Sequence, residues 1–570
     1  MQILSIPDRL YEYLTNENKP EKGFTLGLFR IVFAAQLLLW AYHTHVYKAL
    51  LFDSVAGISK SVFPFNVLLF LWICALSCIL IGLYTHFAAV ANYVCIILIS
   101  EVYVRNGVGS YYDDVMKMGS ILLITLPTNA RFSIDSILFP ALRNQCTKLH
   151  YVASWILLFG LMYFMSGSSK VLSPVWQKGL GLWTPLSMPY WRYTTWLDGI
   201  QDIKWLMMVL NYAVIAWEIG FVFLLFSKRW QKVAILAGML FHLAIAACFY
   251  FPQTALSCAA CYVLFIPDRF WEKLYVAIST SKKITVFVPD TPLSARYFQF
   301  IKSLDFRNKF IPAYDAYEAD LILNSRHAVG TALSAYVVYK PLSWWLYTKV
   351  QSGTAIPAKQ QMAPYFRLSQ QNLARFVLLI IGLYGFYLCA FVYSKWRHQT
   401  DEVKSPTTSS YRERGFKLTP LSICRTFLGI NSKAVFTDKA MMAKRSCYAI
   451  TYLQNGRSYW LPMLNHQGIV SPDTDKQGSW WKLHHFAITE SQEGLNEQNL
   501  IRNSVYLLRK QGINLQSTHF RVLERQYVPP DKFEQGYYAK MYKLPWYTCG
   551  FLVPDKNLLR FIPARSHKSE

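Results

Sequence analysis

Three ionisable residues stand in apolar surroundings, where charge is expensive. Glu218 lies in the run WEIGFVFLLF, His242 in MLFHLAIAACF, and Lys170 closes the run YFMSGSSK. An ionisable side chain within a stretch long enough to cross a bilayer marks a functional site by default. The stretches carrying Glu218 and His242 join near residue 230, so each side chain stands twelve positions from the turn. At about 1.5 Å per residue both are then about 18 Å deep. A Glu and a His at one depth on neighbouring antiparallel helices can pass a proton, or can satisfy one another as a hydrogen-bonded pair that fixes helix packing. Lys170 is expected at the end of its helix that also gathers Asp113 and Asp114. There it acts as a reactive amine, pairs with one of those aspartates, or extends its ammonium to lipid head groups. Cys258 and Cys261 have the C-x-x-C spacing that puts two thiols on one helix face, which suits an oxidisable pair, a metal site or plain apolar packing.

Apolar helices must hold these groups. About 20 apolar residues cross a core about 30 Å thick. Eight windows approach this before residue 270, near 24–43, 64–82, 87–104, 115–128, 150–167, 204–227, 232–251 and 252–266, of which the fourth and eighth are short. A ninth, near 374–394, stands alone between polar regions. The expected fold is an all-α polytopic membrane bundle of about nine transmembrane helices, with a small α/β insertion and a C-terminal α+β soluble domain. Residues 1–23 carry seven charged side chains and no apolar core, so no cleavable signal peptide is expected. Lys228, Arg229 and Lys232 in one short loop, and Arg131, Arg143 and Lys148 in another, put those loops and the N-terminus on the cytoplasmic side. Nine spans then leave a module at 282–350 in the cytoplasm and the tail, 397–570, outside.

Composition agrees with this division. Of 570 residues, 53% are hydrophobic and only 16% charged, too few charges for a wholly soluble enzyme. The net charge of +25 excludes an acidic solvating protein and favours an anionic partner surface, which for such a chain is membrane lipid. The basic excess is spread along the chain with no concentrated stripe, so nucleic acid is not an expected partner. In the tail, Asn455-Gly456 between strand-like runs marks a hairpin, and SPTTSSYRERG near 405–415 reads as a linker. An outside tail permits one disulfide among Cys424, Cys447 and Cys549. No P-loop, haem motif or zinc-ligand spacing occurs, and the adjacent His484 and His485 are unsuited to sharing a metal, so none is expected.

The run MSGSSKVLSPVWQKG, residues 165–179, resembles the signature of the horizontally transferred transmembrane (HTTM) domain, through Gly167, Lys170, Trp176 and Gly179. YYDDVMKMGSILLITLPTNARFSIDS, residues 111–136, is similar to the family's stretch in which an acidic residue opens a helix that closes with Pro and Ser-x-Asp. Glu218 and His242 also resemble family positions, and the likeness covers about residues 20–270. The family's characterised enzyme is the vitamin K-dependent gamma-carboxylase. The resemblance therefore implies a carboxylase-like activity at the outer half of the bilayer, on a lipid-soluble or exported substrate. It implies Lys170 as the base toward a reduced quinone, with Glu218 and His242 in the site and Asp113, Asp114, Gly167 and Trp176 in support.

ITVFVPDTPLSARYFQFIKSLD, residues 284–305, resembles the start of a DCC-type, thioredoxin-like domain. The family's Cys-Pro-Leu-Cys falls on Thr291, Pro292, Leu293 and Ser294. Neither end residue can form a mixed disulfide, so thiol-disulfide exchange is not expected. The likeness runs to about residue 350, where Tyr339-Lys340-Pro341 and WWLYTKV suggest an interfacial helix. The alternative to the enzyme is a non-catalytic membrane maturation or assembly factor whose basic tail captures an exported peptide or protein. In either case a multi-pass protein of the cell (inner) membrane is expected.

Overall fold

The computed structural model describes most of residues 20–323, 368–400, 420–430, 446–461 and 490–564; residues 1–19, 53–63, 106–110, 279–283, 324–367, 401–419, 431–445, 462–489 and 565–570, with shorter breaks, lie outside the described residues. The expected N-terminal segment, interfacial helix, linker and His484-His485 pair fall outside them.

The chain is mostly helical. Its membrane-type helices are α1 (Phe24–Val46), α2 (Phe65–Ile81), α3 (Thr85–Arg105), α4 (Tyr111–Thr125), α5 (Lys148–Val171), α6 (Lys204–Leu224), α7 (Gln231–Cys248) and α8 (Pro252–Cys261). α9 (Asp268–Ile278) follows them. Nine spans are expected, but among the described residues six helices are long and apolar enough to cross a membrane: α1, α3, α5, α6, α7 and residues Gln370–Ala390 of a later helix. The other three fall short for separate reasons. α2 is apolar but has 17 residues, about 26 Å at about 1.5 Å per residue. α4 has 15 residues and carries Asp113, Asp114 and Lys117, and the apolar stretch Thr254–Phe265 tightens into a 3-10 turn over its last four residues.

Two carboxylates seal one face of the bundle. Asp268, at the start of α9, accepts from Gly23 N (2.9 Å), Thr25 N (3.0 Å) and Tyr151 Oη (2.8 Å). It thereby satisfies the unpaired amides that open α1. Asp135 does the same for α3, accepting from Tyr84 N, Thr85 N and Thr85 Oγ1. We expect Asp268→Ala to cost about 2–3 kcal/mol, because two amides and a phenol lose a charged acceptor together. Thermal unfolding in detergent checks this, and a change under about 0.5 kcal/mol would refute it.

On this face also sits the inserted unit: β1 (Ile284–Phe287), α10 (Pro292–Leu304), β2 (Phe310–Ala313) and β3 (Leu321–Ile322). Its strands are parallel in the order β2-β1-β3. Val286, Tyr297, Ile301, Phe310 and Leu323 form its own small core. Arg143 Nη2 donates to Gln299 O of α10 (3.3 Å), tying the unit to the bundle. Burial, with Arg131 nearby, lowers the Arg143 pKa to about 10.

The chain then runs along the bundle as α11 (Gln370–Thr400), burying Leu373, Ala374, Val377, Ile380 and Tyr384 at helical spacing. α12 (Pro420–Leu428) leads into the tail. There β4 (Ser446–Gln454) and β5 (Arg457–Trp460) pair antiparallel around Gly456, whose φ of 72° is the left-handed conformation a tight hairpin turn requires. A short ladder, β6 (Glu490–Ser491) with β7 (Gly494–Leu495), precedes α13 (Glu497–Lys510), β8 (His519–Gln526), α14 (Tyr537–Tyr542), β9 (Tyr547–Asp555) and β10 (Leu558–Pro563). The main sheet is antiparallel in the order β10-β9-β8-β4-β5, as the α+β reading of the tail anticipates.

No expected disulfide forms among Cys424, Cys447 and Cys549; all three are free. Cys447 on β4 and Cys549 on β9 are separated by β8, so their chains never become neighbours. Burial pushes both thiols up to about 12.

The tail docks on the opposite face from the inserted unit. Thr426 Oγ1 donates to Glu101 Oε1 (3.3 Å), and Gly429 (φ 64°) lies so close to the backbone of Asp114 that a Cβ would come within 2.8 Å of its carbonyl oxygen. Trp183, between α5 and α6, packs on Phe533 (4.9 Å between ring centroids) and Tyr537 (5.8 Å). The guanidinium of Arg192 lies 3.9 Å from the Tyr538 ring centroid and also meets Asp198 and Gln201.

Candidate functional site

Tyr163, Ser166, Gly167 and Lys170 recur at i, i+3, i+4 and i+7, which lines them along one face of α5. All four are buried against α6 and α7. Gly167 permits the approach, since a Cβ there would lie 2.7 Å from Ile219 Cγ1 and 3.0 Å from Glu218 Cβ. Lys170 Nζ donates to Glu218 Oε1 (2.7 Å), Glu218 Oε2 (2.6 Å) and Ser166 Oγ (2.7 Å). An ammonium has three hydrogens, so all three are committed. Ser166 in turn donates to Glu218 Oε1 at 3.3 Å. Lys170 is also in the last turn of α5, where the carbonyl end of the helix favours a cation.

Trp176 closes this cluster from the segment beyond α5, its ring centroid 5.2 Å from Nζ. Asn211 of α6 fixes that segment, donating to Trp176 O (3.0 Å) and accepting from Leu182 N (3.2 Å). Gly181 is required because a Cβ would overlap the Trp176 indole.

One turn earlier on α5, Tyr163 Oη bonds His242 Nε2 of α7 (2.5 Å) and Tyr262 Oη (2.8 Å). Gly238, one turn before His242, makes room for this cluster, because a Cβ there would overlap the Tyr262 hydroxyl. Trp217 and Phe221 wall Tyr163 at 4.7 and 4.8 Å between ring centroids. The chemistry on offer is a lysine-carboxylate-hydroxyl cluster and a phenol-imidazole-phenol cluster, about one helical turn apart on a common helix. In such dry surroundings hydrogen-bonded groups of this kind can hold or relay a proton.

Two expectations about these residues need correction. Glu218 and His242 do not pair, because equal depth does not set rotation about the helix axis: Glu218 turns to Lys170 and His242 to Tyr163. The carboxylate on Lys170 is Glu218's, so Lys170 neither takes Asp113 or Asp114 as its ion-pair partner nor reaches toward lipid; it is 4% exposed. Asp113 and Asp114 are buried in the first turn of α4, under the Gly429 segment.

Cys258 and Cys261 are free, buried thiols, and Cys261 Sγ donates weakly to Gln36 Oε1 (3.8 Å). Thr291 caps α10: its Oγ1 accepts from Ser294 N (3.1 Å) and donates to Ser294 Oγ (2.8 Å). Among the described residues no group of three or more His, Cys, Asp or Glu could hold a metal ion. Tyr163, Ser166, Tyr262 and Asn211 were not anticipated. The polar stripe on α5 was the available signal for the first two; Tyr262 and Asn211 carry none beyond their types. No family model, curated protein or solved structure matches this chain.

Proposed function

We propose that this chain is a multi-pass protein of the cell (inner) membrane, of the HTTM type, with an enzymatic site at the outer half of the bundle acting on a lipid-soluble or exported substrate. The observation that carries this reading is the burial of an ionisable Lys170-Glu218 pair beside the Tyr163-His242-Tyr262 cluster. Two polar clusters in an apolar bundle are a large cost for packing alone. The N-terminus and the β1-α10 unit, read as a thioredoxin-like module without redox chemistry, then face the cytoplasm, and the tail faces outward. A reduced quinone, the cofactor implied by carboxylase resemblance, does not fit the closed cluster: Lys170 Nζ lies over the Trp176 ring with its hydrogens committed, and Gly181 packs on the same indole. Lys170 and Glu218 hold and exchange the proton, Ser166 orients them, and Trp176 excludes water.

One observation favours the alternative, a non-catalytic assembly factor: every ammonium hydrogen of Lys170 is already taken, as in a clamp between helices. Mass spectrometry of small molecules retained in mild detergent separates the two. Wild type is compared with Lys170→Ala and with the charge-free pair Lys170→Met/Glu218→Leu, which leaves no lone buried charge. We expect wild type to retain a polar lipid that both folded variants lose. No specific molecule in folded wild type, or equal retention in all three, would favour the assembly factor.

A further inference from the structure

Five bundle helices end on the face that carries the inserted unit. α1 and α3 begin there at Phe24 and Thr85, α2 and α4 finish there at Ile81 and Thr125, and α5 begins at Lys148. In a membrane protein the head groups meet such an end. Here Arg131 and Arg143 stand close to one another. Arg131 Nε donates to Lys22 O (2.8 Å), and its guanidinium lies 5.1 Å from the Phe24 ring centroid. Arg143 Nε donates to Ser136 O (3.1 Å) and Nη2 to Gln299 O of α10 (3.3 Å). Both acceptors are backbone carbonyls, so among the described residues no carboxylate is ion-paired with Arg143. A guanidinium carries five N–H groups in a planar fork, and these two bonds leave three, both on Nη1 included. Burial and the like charge of Arg131 act on this group together. Asp135 and Asp268, on the same face, are committed to the amides that open α3 and α1.

An apolar flank adjoins these arginines. Ser136, to which Arg143 is bound, belongs to the one-turn helix Ile134–Leu138. Asp135 N donates to Gly82 O (2.8 Å) and its Oδ1 accepts from Tyr84 N (2.8 Å), which sets that turn beside the link between α2 and α3. Ile81 (47% exposed), Phe87 (60%) and Leu138 (51%) are turned outward there. We infer that Arg131 and Arg143 hold the phosphate of an anionic membrane lipid whose acyl chains lie along Ile81, Phe87 and Leu138. The guanidinium fork matches phosphate oxygens two at a time. A lipid rather than free phosphate follows from the flank, which a soluble anion would leave in water. Arg143 also holds α10, so the bound phosphate braces the inserted unit against the end of the bundle.

This inference rests on the reading above only in placing the chain in a membrane. The test titrates the full chain in mild detergent with dioleoylphosphatidylglycerol, followed by native mass spectrometry, with dioleoylphosphatidylcholine and inorganic phosphate as comparisons. Arg131→Gln/Arg143→Gln is expected to weaken phosphatidylglycerol binding about ten-fold or more, since two cations near the head groups are lost, and to leave phosphatidylcholine binding level. Arg229→Gln/Lys232→Gln removes two exposed cations beside the α6–α7 turn and is expected to leave both level. If the first variant does not fold, Arg143→Lys decides, because it keeps the charge without the fork: a loss of about three-fold or more supports the site and unchanged binding overturns it. Unchanged binding in Arg131→Gln/Arg143→Gln, an equal loss in the Arg229 and Lys232 control, or inorganic phosphate bound as tightly as the lipid would also overturn it. The two readings fail separately. Phosphatidylglycerol bound equally by wild type and Lys170→Met/Glu218→Leu supports this site even where a reactive Lys170 has been excluded. Folded wild type with no preference for phosphatidylglycerol overturns the site and leaves Lys170 to its own test.

Discussion

A chain carrying Glu218→Ala is expected to lose about 3–5 kcal/mol of stability, the usual result of leaving one member of a buried ion pair alone. The cost comes from Lys170, whose ammonium would keep only Ser166 and stand uncompensated among α5, α6 and Trp176. A second substitution in the same chain, Lys170→Met, is expected to return most of that loss, because removing both charges removes the desolvation burden as well. Unfolding midpoints of the two single variants and the double variant in one detergent give the coupling directly. Independent effects that simply add would show that the pair is not the unit described here.

Trp183→Ala is expected to cost about 3–5 kcal/mol, as for other fully buried aromatic side chains truncated to alanine. The ring is 0% exposed and stands between the bundle segment and Phe533 and Tyr537 of the tail. Part of the loss should therefore appear as a loosened tail. Limited proteolysis should cut near residue 533 faster in the variant while the bundle stays intact. A cycle with Tyr537→Ala should show coupling of about 0.5–1.5 kcal/mol, the usual size for an aromatic pair. If the tail is cut no faster, Trp183 does not hold it in place.

The helical membrane-type core and the antiparallel tail were legible because both announce themselves by period and turn residues. Apolar runs of bilayer length read as helices, and the hairpin at Gly456 reads from the turn it must make. Lys170, Glu218 and His242 were legible as costly groups in apolar stretches. Their pairing was not. Counting from the α6–α7 turn gives depth, but partner choice depends on rotation about each axis and on a third helix. Here α5 supplies Tyr163 to His242 and Lys170 to Glu218. Tyr163 and Tyr262 escaped notice because tyrosine in an apolar run passes for a packing aromatic. The roles of Asp268 and Asp135 were also unreadable, since each caps a helix far away in sequence. Nothing around Trp183 announces that the tail will sit on it, because that contact joins segments about 350 residues apart.

The middle of α5 departs from regular winding: residues Ile156–Gly160 form a π-helical turn. A π turn takes in one residue more than an α turn, so whatever follows is rotated by about 100° relative to an unbroken helix. The lower half of α5 therefore answers to one set of neighbours, with Tyr151 on Asp268 and Trp155 on Leu264 O. The upper half presents Tyr163, Ser166 and Lys170 to α6 and α7. One continuous rod thus carries two independent azimuths, and the reading frame of its polar stripe is set by a single surplus residue about three turns below Lys170.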